Sequence, residues 1–169
     1  NVQVTTLGPG GQQINSQTGE VKVKGLELEA VSDVTENLKV IAAYTLAKSE
    51  VQKGINQGNR LQLMPNQQAS LWTDYTFDQG PLAGLQVGGG ARYFGKSWAD
   101  AENTLRIPSY TLYDAMLGYD LSRVGLQGVG VRLNLNNLTD EKYVAACNSL
   151  SQCYYGESRN VMATVTYDF

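Results

Sequence analysis

Apolar and polar residues alternate one for one at the end of the chain, with Val161, Ala163, Val165, Tyr167 and Phe169 set against Met162, Thr164, Thr166 and Asp168. A period of two marks a β-strand with one greasy face. The pattern recurs over residues 1–7, 20–32, 38–49, 66–78, 84–97, 108–121, 127–137 and 158–169, which predicts about eight strands. Most copies reach the ~9–11 residues that a tilted strand needs to cross a bilayer. The connections alternate too. Short links at 33–37, 78–81 and 122–125 carry turn residues, and the links at 8–19, 50–65, 98–107 and 138–157 are long and polar. Such alternation describes the two rims of a membrane barrel, with the short turns and the chain end on the periplasmic side and the long loops outside.

The period also assigns faces. Leu38, Val40, Ala42, Tyr44 and Leu46 are expected to meet lipid while Lys39, Ala43, Thr45 and Ala47 face inward, with Ile41 an apolar exception. Further outward rows are Ala69, Leu71, Tyr75 and Phe77, then Leu85, Val87, Ala91 and Tyr93, then Tyr113, Ala115, Leu117 and Tyr119, and Val129, Val131, Leu133 and Leu135. The opposing rows carry Asp74, Arg92, Asp114, Asp120 and Arg132, and salt bridges such as Arg92 or Arg132 with Asp74 or Asp114 would fill a narrow lumen equally well, so alternation alone does not set the strand number. An Arg or Lys on the lipid side at mid-bilayer would cost about 2–4 kcal/mol, so the register is strongly fixed. Tyr44, Tyr75, Phe77, Tyr93, Tyr119, Tyr167 and Phe169 suit the interfacial girdles.

Composition narrows the class. The chain of 169 residues is 42% hydrophobic with 18 glycines, and no stretch approaches the ~18 consecutive apolar residues of a membrane helix. A net charge of −3 without any basic stripe gives nucleic-acid binding no support. Cys147 and Cys153 fall in one polar segment, and the chain has no histidine. This reads poorly as a zinc site and better as a short disulfide in an oxidising compartment, with two free thiols as the alternative. No leader precedes Asn1, so the chain is expected to be a piece of a longer polypeptide and to aggregate when expressed alone.

Catalytic motifs are weak. Gly90-Ala91-Arg92-Tyr93-Phe94-Gly95-Lys96-Ser97 matches the phosphate-loop pattern, but its inner residues continue a strand alternation and no helix follows. Gly88-Gly89-Gly90 within the same strand predicts close backbone approach or sheet bending. Without histidine no Ser-His-Asp or Cys-His arrangement is possible, and Glu27 with Glu29 reads as a solvated pair on one strand face. The sequon Asn137-Leu138-Thr139 reads as a chance match. No catalytic residue is expected.

Asn136-Asn137-Leu138-Thr139-Asp140-Glu141-Lys142-Tyr143, with the terminal Tyr167-Asp168-Phe169, resembles the carboxyl-terminal strands of TonB-dependent outer-membrane receptors, specifically the ferric hydroxamate (ferrichrome-type) siderophore group. Residues 23–29, 65–72 and 107–114 and the Cys147 to Cys153 loop leading into Tyr154-Tyr155-Gly156-Glu157 match as well. The resemblance implies an all-β fold, an antiparallel transmembrane β-barrel of which residues 1–169 supply about eight carboxyl-terminal strands out of 22. It implies residence in the bacterial outer membrane, and partners that this chain lacks: a plug domain and a TonB energy-coupling box. No cofactor is implied, since the ferric siderophore is the transported ligand, and no residue is a direct iron ligand because the chelator already holds the metal. Phe169 matches the terminal aromatic read by the barrel-assembly machinery.

An iron chelate of low charge is held by aromatic and hydrogen-bonding loop side chains, which makes Tyr154 and Tyr155 the ligand-binding candidates, with Trp98 behind them. Packing within the loop is the equal alternative for the two tyrosines. Two positions depart from the receptor pattern: Asn148 stands where an aromatic follows the first loop cysteine, and Pro65-Asn66-Gln67-Gln68 lacks a histidine. The identity of the chelate stays open. Two other readings compete, a self-contained eight-stranded barrel acting as an anchor or adhesin, and a soluble β-sandwich.

Overall fold

The computed structural model describes residues 2–7, 12–149 and 152–169. Its strands are β1 (Val2–Leu7), β2 (Gln13–Asp33), β3 (Leu38–Lys53), β4 (Gln67–Thr76), β5 (Leu85–Phe94), β6 (Ser97–Trp98), β7 (Arg106–Ile107), β8 (Tyr110–Asp120), β9 (Val129–Asn136), β10 (Val144–Ser149), β11 (Gln152–Tyr155) and β12 (Asn160–Tyr167). Eight of them form one antiparallel sheet in the order β1-β2-β3-β4-β5-β8-β9-β12, a simple meander. The remaining four make two small hairpins, β6 with β7 and β10 with β11. Among the described residues no ladder joins β12 to β1, so the sheet stays open. Helix is confined there to two short 3₁₀ turns, Gly80–Leu82 and Leu121–Val124, neither long nor apolar enough to cross a membrane.

Register carries the greasy face across the sheet, because cross-strand partners point the same way. Leu28 pairs with Tyr44, Ala30 with Ala42, Ala42 with Leu71, and Leu71 with Ala91. The row continues through Ala91 with Tyr113, Leu117 with Leu133, and Leu133 with Ala163. These side chains are not buried against a second layer. Leu28 is 57% exposed, Leu71 50%, Leu117 45% and Val165 69%. A continuous apolar surface of this extent needs lipid, which removes the soluble sandwich from consideration.

The opposite face is mixed. Lys39 pairs with Asp74 and Ser70 with Arg92, as the alternation requires. Arg92 meets Asp114 through a two-pronged salt bridge, Nε to Oδ2 at 2.7 Å and Nη2 to Oδ1 at 3.1 Å. Ile41, expected as an apolar exception, has Val31 and Trp72 as its inward neighbours. The Trp72 indole lies across the neighbouring glycines: a Cβ on Gly88 would stand 2.8 Å from Trp72 Cζ2, and one on Gly90 2.7 Å from Trp72 Cε3. Gly88 and Gly90 therefore make room for an indole. Gly90 through Phe94 are plain strand and no helix follows, so the phosphate-loop match is empty.

Several boundaries differ from the sequence expectation. β2 begins at Gln13 and β3 ends at Lys53, so the first long link, placed at 8–19, gives most of its residues to a hairpin that rises beyond the apolar band. Those residues pair with β1, and Glu20 with Lys53, at 2.9 Å, closes the β2–β3 ladder below them. The links placed at 98–107 and 138–157 contain the two small hairpins, and the strand placed at 84–97 stops at Phe94.

Candidate functional site

The three connections after β3, β5 and β9 converge at the end of the sheet opposite the chain terminus, and hydrogen bonds tie the first two together. Leu63 N donates to Trp98 O at 2.7 Å, and Asn59 Nδ2 to Ala101 O at 3.0 Å. Arg60 N donates to Asn103 Oδ1 at 2.7 Å while Asn103 Nδ2 returns a bond to Arg60 O at 3.0 Å. Under these loops sits a small core in which Ala99, Ile107 and Cys147 are 1%, 5% and 2% exposed, with Leu63 and Val144 against them. One residue cluster thus unites all three loops.

Asp100 organises the middle loop. Only 4% exposed, it accepts from Thr104 N at 2.8 Å, Thr104 Oγ1 at 3.0 Å and Leu105 N at 2.8 Å. Burial alone pushes such a carboxyl's pKa up, but these donors prevail and hold it below the ordinary Asp value. The third loop is braced by the motif that carried the resemblance. Asn137, 3% exposed, donates from Nδ2 to Glu141 O and Glu157 O, both at 3.0 Å, and accepts Glu141 N at 2.8 Å. Its backbone N–H donates to Asp114 Oδ1 at 3.0 Å, linking the loop to the Arg92 pair. An amide so committed and buried is no glycosylation acceptor. Asp140 accepts Arg159 N at 2.9 Å and Lys142 Nζ at 3.1 Å, and these contacts, the Arg159 N–H first, hold its pKa low.

Cys147 and Cys153 are disulfide-bonded and face each other in the β10–β11 hairpin. Directly beyond, Tyr154 pairs with Ala146 and Tyr155 with Val144, and their side chains are 53% and 77% exposed. Trp98 sits on the other hairpin, its ring covered by Arg106, whose Cζ lies 4.6 Å from the ring centroid. The shared core brings these two hairpins side by side.

Sequence reasoning missed an aromatic stack. Phe94 and Tyr110 lie with ring centroids 5.0 Å apart, and Tyr110 and Tyr143 4.3 Å apart, both nearly parallel. Gly156 packs flat against the Tyr143 ring with no room for a Cβ. Phe94 and Tyr110 are cross-strand partners on the inward face, at the loop end. A cavity of about 270 Å³ opens beside them, lined by Leu63, Pro65, Phe94, Ile107, Tyr110 and Val144. The signal was available: both rings occupy the polar parity of their strands, where an aromatic needs a reason.

Comparison with known proteins places this arrangement. Residues 1–138 match the family model described as TonB dependent receptor-like, beta-barrel. The ferrioxamine B receptor of Salmonella typhimurium is 46% identical over 153 residues, covering 89% of this chain and 22% of the relative. The ferrioxamine receptor of Yersinia enterocolitica is 50% identical over 155 residues, and the ferrichrome outer membrane transporter/phage receptor of Escherichia coli 41% over 162. The chain spans about a fifth of the length of these relatives. Among solved structures, the siderophore receptor PiuA from Acinetobacter baumannii superposes with a TM-score of 0.76 at 32% identity, over 98% of this chain and 24% of that one. Sheet, register and relatives agree on the outer membrane, and the chain belongs to the TonB-dependent receptor family as part of its β-barrel.

Proposed function

We propose that the full-length protein takes up a ferric siderophore of the hydroxamate class across the outer membrane in a TonB-dependent manner. The observation that carries this reading is 46–50% identity to two receptors named for ferrioxamine, above the 32% to the probable siderophore receptor PiuA and the 30% to a metal-pseudopaline receptor. In this reading residues 1–169 form wall and loops of a larger barrel of 22 strands. The plug, the coupling box and the contact with TonB belong to the rest of the polypeptide, and Phe169 serves barrel assembly. The protein is a transporter and no enzyme, and its iron arrives already chelated.

Within this chain the ligand would be met by the exposed faces of Tyr154 and Tyr155, with Trp98 nearby, and passed inward over the Phe94, Tyr110 and Tyr143 rings. Flat rings suit a bulky chelate of low charge, since they bury apolar surface and leave hydroxyls for its oxygens. The open sheet disfavours the self-contained eight-stranded barrel, which would pair β12 with β1.

The test is growth of an iron-starved strain, deleted for its own hydroxamate receptors, carrying the full-length gene. Growth on ferrioxamine B or ferrichrome, absent on ferric catecholates, is the expected result; growth on a catecholate alone contradicts the hydroxamate assignment. In the purified receptor, Tyr154→Ala with Tyr155→Ala should weaken chelate binding by about tenfold, the scale of one or two well-packed aromatic contacts. Unchanged affinity would leave those rings a packing role only.

A further inference from the structure

Among the described residues, outward-facing positions are free of charge on β4, β5, β8, β9 and β12, and a cluster of charge stands on β2 and β3. There Lys24 pairs directly with Lys48, and Lys22 pairs with Glu50, in the same parity as the lipid-facing Leu26, Leu28, Tyr44 and Leu46. All three lysines are exposed. Like charges directly opposite on one sheet face repel. Among the described residues none of the three lies within ion-pair distance of a carboxylate, whereas Lys53, higher on the same hairpin, is paired with Glu20 at 2.9 Å.

Height decides what these ammonium groups meet. The apolar row from Leu38 to Leu46 covers about 26 Å along β3, or about 20 Å of membrane height at the usual strand tilt. Lys48 lies about 13 Å further along the strand than Tyr44, a girdle residue, and so about 10 Å higher. That is the level at which an outer-leaflet lipid holds its phosphates, just above the ~25 Å apolar band. Three ammonium groups against one carboxylate leave a net positive face toward those phosphates.

We propose that Lys22, Lys24 and Lys48 form a binding site for the phosphorylated headgroup of an outer-leaflet lipid, seated on the outside of the β2–β3 hairpin. The phosphate relieves the Lys24–Lys48 repulsion, and the acyl chains lie along the Leu26, Leu28, Tyr44 and Leu46 rows below. This assignment is independent of which chelate the receptor carries.

The experiment uses the full-length receptor in neutral-detergent micelles, with fluorescent diphosphoryl lipid A as the probe and dephosphorylated lipid A as the comparison. Lys24→Gln with Lys48→Gln should weaken binding of the diphosphoryl form at least about tenfold, on the scale of headgroup attraction to two basic side chains. Wild type should bind the dephosphorylated form about as weakly. Lys53→Gln should change nothing, and Lys24→Arg with Lys48→Arg should restore binding. Equal affinity of the wild-type and double-glutamine receptors for diphosphoryl lipid A would overturn the proposal, as would tight binding of the dephosphorylated form. The double-glutamine receptor should melt in neutral detergent no lower than wild type, since its loss removes repulsion; a lower melting temperature would show the lysines to be internal stabilisers and overturn the proposal.

Discussion

Asn137 shows how one residue type at one position fixes a loop. Its backbone sits at φ 50°, in the left-handed region that asparagine tolerates better than most residues, and its amide satisfies three backbone groups. Removing that amide strips two carbonyls and an N–H of their partner, so Asn137→Ala should cost about 1–3 kcal/mol of local stability. Native-state hydrogen exchange at the Glu141 amide reads this directly, and unchanged protection would contradict it. Asp100 makes a pH prediction. Its folded pKa is depressed, so its contribution is complete above the ordinary Asp value of about 3.9 and is lost as pH falls through the lower folded value. In Asp100→Asn the Thr104 and Leu105 amides should exchange faster than wild type at neutral pH, after correction for intrinsic rates. That gap should close in acid; a gap that persists there would assign the loop's order to other contacts.

At the scale of elements, the long strands were legible and the short ones were not. Alternation over ten residues writes a strand into the sequence because one face must meet lipid at every second position. Residues Gln13 to Glu20 carry no such alternation, and they are strand because they pair with β1 and reach toward Lys53. β6, β7, β10 and β11 span two to six residues each, too few for a period to register. The rings at Phe94, Tyr110 and Tyr143 come from three separate segments, so only the register could unite them, although the disulfide and the tyrosines beside it stood out locally. The face assignment can be tested on one adjacent pair. Ala42 lies outward between Ala30 and Leu71, and Ala43 inward between Glu29 and Ser70. Ala42→Arg should cost about 2–4 kcal/mol and deplete the assembled receptor in outer membranes, while Ala43→Arg, beside Glu29, should assemble normally. Equal levels of the two would contradict the assignment.

Across the whole molecule, the wall and the loops divide the work. The wall is held by ladders and by lipid, and its register leaves little freedom. The loops are held by a few buried groups, Asp100, Asn137 and the Ala99, Ile107 and Cys147 cluster, which set rigid hairpins and ring faces at the mouth of the bore. All of this rests on the phase of one alternation. The most direct test places single spin labels from Thr111 to Tyr119 along β8 in the full-length receptor reconstituted in lipid, and measures collision with oxygen and with a water-soluble nickel chelate. Oxygen accessibility should peak at Tyr113, Ala115 and Leu117 and fall at Leu112, Asp114 and Met116, a period of two in this phase. A flat profile, or peaks on the second set, would contradict the account.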